Sequence, residues 1–320
     1  MCTKATAILA MSVAEAEKDR AAWLALRNKG LGGSDAGVVM GVNPYKSRLT
    51  LWLEKTGQIE QPDLSDNEAV QWGIINEPNI AEWFSKKTGK KLRKCGTLVS
   101  VEHPWMLANV DRMIVGENAG LEIKTAGVKQ SSRWKDDEVP DEYFCQCQHY
   151  MMVTGCDMWY LAVLIDGNKF VCKSIPRNDN FIRDLLTAEA AFWTLVESKI
   201  MPEVDGLKDT GKALQTMYPA AKPESVLELE STDELERLFD NHRTYIQSIK
   251  TMQQYVEECE NKIKALMGEN EAVKIGDHKA TWSNMAGRVS VDKKRLQAEL
   301  PDIYKAYTKV GKPSRRFSMS

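Results

Sequence analysis

Asp111 and the tetrapeptide Leu121-Glu122-Ile123-Lys124 are the residues best suited to chemistry. On a strand, alternate side chains share a face, so Glu122 and Lys124 point the same way about 6.6–6.8 Å apart. Asp111 lies on the preceding strand of a predicted hairpin and shares that face. Two carboxylates and an ammonium at a sheet end match the needs of metal-assisted phosphodiester hydrolysis. Hard oxygen ligands hold Mg²⁺, which polarises phosphate and activates water. The backbone carbonyl of Ile123 is a further ligand candidate, and Lys124 would orient or deprotonate the attacking water, or neutralise developing charge on the phosphorane. Glu-x-Lys alone carries little information. It recurs at Glu197-Ser-Lys199 and Glu260-Asn-Lys262, both on predicted helices as a solvated face. A solvent-facing edge strand would also alternate as Leu121–Lys124 does.

Other residues converge on the same chemistry. Trp72-Gly-Ile-Ile-Asn-Glu77-Pro places an acid in an apolar helix face, where an unpaired carboxylate is costly and a metal compensates. Gly32-Gly33-Ser34-Asp35 is a Gly-rich turn into a helix, with Ser34 as N-cap and free N–H groups suited to an anion. Arg27 lies just upstream; an ordinary capped helix is the plain alternative. Gln146 and Tyr150 share a helix face at i, i+4, while Gln148 projects elsewhere.

The elements that must position these residues follow from turn and cap signals. Helices are expected over 15–28, 34–40, 47–57 and 68–88, the last with Pro78 inside and Gly89 at its end. Strands are expected at 92–101, 106–115 and 121–125, with a hairpin loop at 116–120. A helix over 141–154 precedes strands 158–165 and 169–175, joined by Asp166-Gly167-Asn168, and a helix over 179–199 follows. This makes an α/β or α+β core at residues 1–202, a mixed sheet flanked by helices. Residues 203–223 read as a linker. Residues 224–320 form a C-terminal extension of one long helix, a hairpin at 272–283 and a basic tail. In the long helix Leu238, His242, Tyr245, Ile249, Met252, Val256, Cys259, Ile263 and Leu266 step by alternating fours and threes. That is a heptad seam, packed on its own domain or against another copy.

Composition narrows the class. The 320 residues hold 43 Lys+Arg against 45 Asp+Glu, a net charge of −2. The charge is unevenly spread: six bases fall within 86–94, the stretch 224–271 carries twelve acids against five bases, and 292–316 carries eight bases against three acids. The first basic run suits backbone phosphates, or is simply a solvated loop. No apolar run reaches the ~20 residues of a membrane helix. The first residues make a poor export signal, and seven scattered cysteines suggest reduced thiols in a cytoplasm. Cys145-x-Cys147 without a second close pair argues for buried thiols over a zinc or iron–sulfur site.

The segments Arg27–Gly57, Trp72-Gly…Glu77-Pro, Asp111, Glu122-Ile-Lys124 and Gln146-x-Gln148 occur in an order that resembles the phage-type recombination nucleases, the lambda exonuclease or YqaJ-like viral recombinase family. The resemblance covers roughly residues 15–200, and Pro313-Ser-Arg-Arg-Phe317 is similar to the end of longer members. It implies a PD-(D/E)xK restriction-endonuclease-like fold, two Mg²⁺ ions with Mn²⁺ as a substitute, and 5′→3′ digestion of duplex DNA ends. It implies metal binding by Glu77, Asp111 and Glu122, with Lys124 on the nucleophilic water. It also implies a 5′-phosphate pocket of Arg27, Ser34 and Gln148, with Asn109 in a matching position and Gln146 and Tyr150 in support. Val110 stands where the motif has a nominal Pro. Family members form trimeric rings and pair with a single-strand annealing protein. The competing expectations are an endonuclease or structure-specific nuclease on the same metal site, and a non-catalytic DNA-binding scaffold whose long helix is the working part.

Overall fold

A computed structural model of the chain describes residues 6–61, 66–134, 138–311 and 313–319; Cys2 and Lys312 lie outside them. The chain divides into two units, Met1–Pro219 and Ala220–Ser320. The first begins with β1 (Ala7–Met11), α1 (Val13–Lys18), α2 (Arg20–Arg27), β2 (Leu31–Gly32), α3 (Gly33–Val39), α4 (Arg48–Lys55) and α5 (Glu68–Thr88). Strands β3 (Leu92–Arg93), β4 (Thr97–Ser100), β5 (Met106–Asn109), β6 (Arg112–Ile114) and β7 (Ala119–Ala126) follow. A 3₁₀ turn at Val128–Trp134 leads to α6 (Asp141–Thr154), β8 (Met158–Ile165), β9 (Lys169–Pro176), α7 (Asp179–Ser198) and α8 (Lys208–Met217).

Local chemistry sets the helix ends. Ser47 accepts from the Thr50 N–H at the start of α4, and Asn67 does the same for Val70 at the start of α5. Gly89 and Gly155, both left-handed, close α5 and α6. One helix was expected over 15–28, but the Asp19 carboxylate caps Ala22 and starts a second helix there. Ser34 is not an N-cap either. It lies in the first turn of α3, whose cap position is Gly32.

Two expected strands are each split between sheets. Among the described residues of this unit, one sheet runs β1-β4-β5-β2 and the other β3-β6-β7-β8-β9. The chain leaves one sheet for the other between β3 and β4, and again at Val110-Asp111 between β5 and β6. Gly96 permits the first crossing: a Cβ there would sit 2.0 Å from the Met11 carbonyl oxygen. The hairpin β6–β7 is antiparallel, with Arg112 opposite Leu121, while β7 and β8 run parallel and β8–β9 closes the edge antiparallel. Helix α6 packs on the apolar face around Trp159, Leu161 and Val163, all fully buried. Gly120 leaves room for that Trp159 ring, which would lie 2.3 Å from an added Cβ.

Residues 203–223, expected as a linker, contain α8. Its Ala213 is buried with Leu49, Leu51 and Trp52, and the Asp209 carboxylate accepts from the Ser47 N–H. A polar composition concealed a helix that needs only one small apolar stripe. Cys145, Cys147 and Cys156 are buried free thiols, and burial pushes each of them up.

The second unit contains α9 (Asp233–Met267), the hairpin β10 (Ala272–Ile275)–β11 (His278–Thr281), α10 (Lys293–Glu299) and α11 (Pro301–Tyr307). Among the described residues no helix is long and apolar enough to cross a membrane.

Candidate active site

The break at Val110-Asp111 places the half-buried Asp111 beside β7. Its Oδ2 accepts from the Ile123 N–H at 2.7 Å, which ties the loop to β7 beyond the last β6 pairing. A strand residue presents its N–H and C=O to the same side, so the Ile123 carbonyl also faces the Asp111 side. Glu122, on the same strand, is 3% exposed. Its Oε1 accepts from Lys124 Nζ at 2.5 Å and from Gln146 Nε2 at 2.7 Å, while its Oε2 is buried without a hydrogen-bond partner. Lys124 lies over the Tyr143 ring, 5.1 Å from its centroid.

The electrostatics are those of an acid cluster short of positive charge. Burial, then the Glu122 carboxylate, then Glu77 push the Asp111 carboxyl well above its ordinary value, against Lys124 and the Ile123 N–H. Burial disfavours the Lys124 ammonium, but Glu122 and Asp111 outweigh it and raise the amine. A divalent cation fits these groups: the Asp111 carboxyl, raised by burial and its acidic neighbours, one Glu122 oxygen without a partner, and a carbonyl on the same side are hard oxygen donors. Asp111, Glu122 and the Ile123 carbonyl would hold it.

Glu77, expected as a metal ligand, is held by Arg112. Its carboxylate, partly exposed on α5, pairs with Arg112 Nη1 at 2.5 Å, and Arg112 also donates to the Asp111 carbonyl. Among the described residues no group of three or more His, Cys, Asp or Glu is arranged to hold a metal ion. Arg112 follows Asp111 directly, but the side to which it turns depends on the strand break.

The residues expected to bind a terminal phosphate are only partly brought together. Arg27 donates to Ser34 Oγ at 3.4 Å, and its guanidinium lies over the Trp23 ring one turn back, 4.8 Å from the centroid. Asn109 Oδ1 accepts from Trp23 Nε1 at 3.3 Å and from Thr97 Oγ1 at 2.6 Å. Its Nδ2 is thereby turned toward the Gly32 backbone, 3.9 Å from where a Cβ would sit. The Gly32 N–H is bonded to the buried Asp35 carboxylate, which Lys55 pairs at 2.9 Å. Despite burial, Lys55, Lys46 and Arg27 hold Asp35 far below the ordinary value.

Gln148 does not join Arg27 and Ser34. It is fully buried, donating to the Pro176 carbonyl and accepting from the Asn178 N–H, and so fastens β9 to α7. Gln146, two residues earlier, faces the other way and donates to Glu122 and to the Tyr150 hydroxyl, which in turn donates to the Asn109 carbonyl. Trp23, Thr97 and Arg112 join the site from outside the sequence motifs. Only Trp23 has a signal in the sequence, four residues before Arg27 on a helix.

A cleft of about 360 Å³ is lined by Arg20, Trp23, Glu77, Lys94, Asn109 and Asp111 among others, while Glu122, Lys124, Arg27 and Ser34 lie outside its lining. Residues 22–157 match the model of the YqaJ-like viral recombinase domain. The whole chain is 36% identical over 316 residues to YqaJ of Bacillus subtilis (strain 168), an uncharacterized protein, covering 97% of this chain and 96% of that one. The chain belongs to the YqaJ-like viral recombinase family. Its fold is similar to the crystal structure of an alkaline exonuclease from Laribacter hongkongensis, with a TM-score of 0.50, 22% identity, and coverage of 56% of this chain and 93% of that one. In this YqaJ-like chain the matched segment holds Arg27, Ser34, Glu77, Asn109, Asp111, Glu122, Lys124 and the α6 glutamines.

Proposed function

We propose that this YqaJ-like protein is a divalent-metal-dependent exonuclease that digests linear duplex DNA 5′→3′, leaving 3′ single-stranded overhangs for phage-type recombination. The observation that carries the proposal is the single cleft with Asp111 and Glu77 at one part of its wall and Asn109 and Trp23, the neighbour of Arg27, at another. The fold it shares with an alkaline exonuclease supports the same reading.

The residues divide the work. Asp111, Glu122 and the Ile123 carbonyl would hold Mg²⁺, or Mn²⁺, and Glu77 would join them on leaving Arg112. The bound cation would supply phosphate polarisation and an acidified water. Gln146 fixes the Glu122 carboxylate, and Lys124 supplies positive charge beside the phosphorane as it forms. Arg27, Ser34 and the Asn109 amide would hold a terminal 5′-phosphate by charge-assisted hydrogen bonds. Water adds to phosphorus and the bond to the 3′ oxygen breaks, releasing a nucleotide with a 3′-hydroxyl. The remaining strand then ends in a 5′-phosphate, the group the same pocket takes next. The overhangs are suited to a single-strand annealing partner, and a ring of copies around the duplex would keep successive cuts on one molecule.

Digestion of 5′-phosphorylated linear duplex, its 5′-hydroxyl counterpart and a closed circle tests this directly. Mononucleotides released from the phosphorylated ends, with the circle intact, are the expected result. Vigorous cutting of the circle would instead make the protein an endonuclease. DNA binding with no nucleotide release in Mg²⁺ or Mn²⁺ would make it a scaffold.

A further inference from the structure

The proposed nuclease leaves α9 without a task. Along its 35 residues, Leu238, His242, Tyr245, Ile249, Met252, Val256, Cys259, Ile263 and Leu266 repeat every 3.5 residues. A straight helix turns every 3.6 residues, so such a stripe stays on one face only when the helix supercoils about another of the same period. The stripe is open: Leu238 and Tyr245 are each 63% exposed, and Leu266 is 75% exposed. Phe239, Ile246 and Tyr255 widen it and are exposed too. The Phe317 ring meets His242 edge-on at 6.3 Å, at one end of the stripe.

We propose that α9 pairs in parallel with α9 of a second copy of this chain, as a two-stranded coiled coil. The residue types select this occupant. Setting Leu238 at d places His242, Ile249, Val256 and Ile263 at a, and Tyr245, Met252, Cys259 and Leu266 at the other d positions. Branched Ile and Val at a with Leu at the d positions that bound the stripe favour two parallel strands, and a single polar a residue fixes the register. In that register the flanking pairs are Asn241 with Ile246, Ser248 with Gln253, Tyr255 with Glu260 and Lys262 with Met267, so no like charges meet. The stripe is ~42 Å long. Its apolar side chains offer on the order of 800 Å² per copy, the size of a standard stable interface.

Cys259 is an exposed free thiol at a d position and reports the pairing. Parallel copies in register bring the two Cys259 side chains into one layer. An antiparallel pair overlapping along the whole stripe centres near Met252 and separates them by ~21 Å, far beyond disulfide reach. The experiment oxidises the full chain with diamide, which takes up the two electrons and two protons of a thiol pair, and reads a non-reducing gel. A dimer band that disappears in Cys259→Ser is expected. The band should weaken roughly tenfold or more when Ile249→Asp and Val256→Asp bury unpaired charge in the seam, while the first unit keeps its melting transition. No Cys259-dependent band from concentrated wild type overturns the proposal, as does equal cross-linking of the double-Asp variant. A band from Met252→Cys in the Cys259→Ser background, with none from Cys259 itself, makes the pair antiparallel and overturns it too. A ring formed by the first unit would change native mass but not this readout.

Discussion

The Glu122 carboxylate shows how finely single side chains are set in this site. One oxygen takes two donors, Lys124 and Gln146, while the other is buried without a partner. Removing Gln146 leaves the backbone and the acids in place but frees the Glu122 rotamer. Gln146→Ala should therefore lower metal-dependent digestion roughly 10–100-fold and raise the Mn²⁺ concentration needed for half activity. Asp111→Asn should abolish digestion and spare DNA binding, which a gel shift beside the nuclease assay would check. Equal activity of Gln146→Ala and wild type would remove Gln146 from the machinery. At the phosphate end, Arg27→Ala deletes a charged donor worth about 1.5–3 kcal/mol. The preference for 5′-phosphorylated over 5′-hydroxyl duplex should fall by roughly 10–100-fold, read as the ratio of initial rates. A ratio unchanged from wild type would place the phosphate elsewhere. The sequence made Glu122 and Lys124 visible because strand alternation alone puts them on one face. It could not show that Arg112 takes Glu77, or that Gln148 turns to Pro176 while Gln146 turns to Glu122. Which side of a helix faces which neighbour is decided by packing, not by spacing along the chain.

At the scale of elements, α6 is the piece that holds the site together, with one side on the acids and the other on the rest of the core. Its His149 is fully buried between the Glu189 carboxylate of α7 and the Leu107 carbonyl of β5. Burial alone would favour the neutral ring, but the Glu189 charge and hydrogen bond raise His149 above its ordinary value. A group raised in the folded state contributes its full stability below the unfolded value, about 6.5. That contribution is lost as pH rises through the folded value. Wild type should therefore lose melting temperature as pH is taken upward from about 6.5. Glu189→Gln, which breaks a buried pair, should be less stable by about 3–5 kcal/mol at acidic pH and show less of that decline. Parallel wild-type and variant melting curves across pH would contradict the pairing. Most of these elements could be read from the sequence: α5, α6, α7 and the β8–β9 hairpin end at their Gly, Asn and turn signals. The split of 106–115 could not, because Val110 and Arg112 are both buried on either side of Asp111 and mimic continuous alternation. Only the presence of a second sheet explains the change of direction.

At the scale of the whole molecule, the question is where the first unit ends. Composition places the change at Pro202, because residues 203–223 are rich in Lys, Gly and Pro. The contacts of α8 place it after Pro219. Ala213, with Leu214 and Met217, packs into the cluster of Leu49, Leu51, Trp52 and Phe192, and Asp209 accepts from the Ser47 N–H that opens α4. Helix α4 in turn supplies Lys55, whose ammonium pairs with Asp35 and donates to the Arg27 carbonyl. Loss of α8 therefore reaches the proposed phosphate pocket through α4 as well as the core. A chain ending at Pro219 should keep wild-type digestion per site and a cooperative melt. One ending at Pro202 should lose roughly 3–6 kcal/mol of apolar burial, which lowers the melting temperature by about 10 °C or more for a unit of this size. Its 5′-phosphate preference should weaken before its metal dependence does, since α8 packs on α4, whereas Glu122 lies on β7 and Asp111 in the break before β6. Melting curves and paired-end digestion of the two truncations decide the matter. If the chain ending at Pro202 matched the chain ending at Pro219 in both, α8 would be a passenger and the first unit would end where the composition changes.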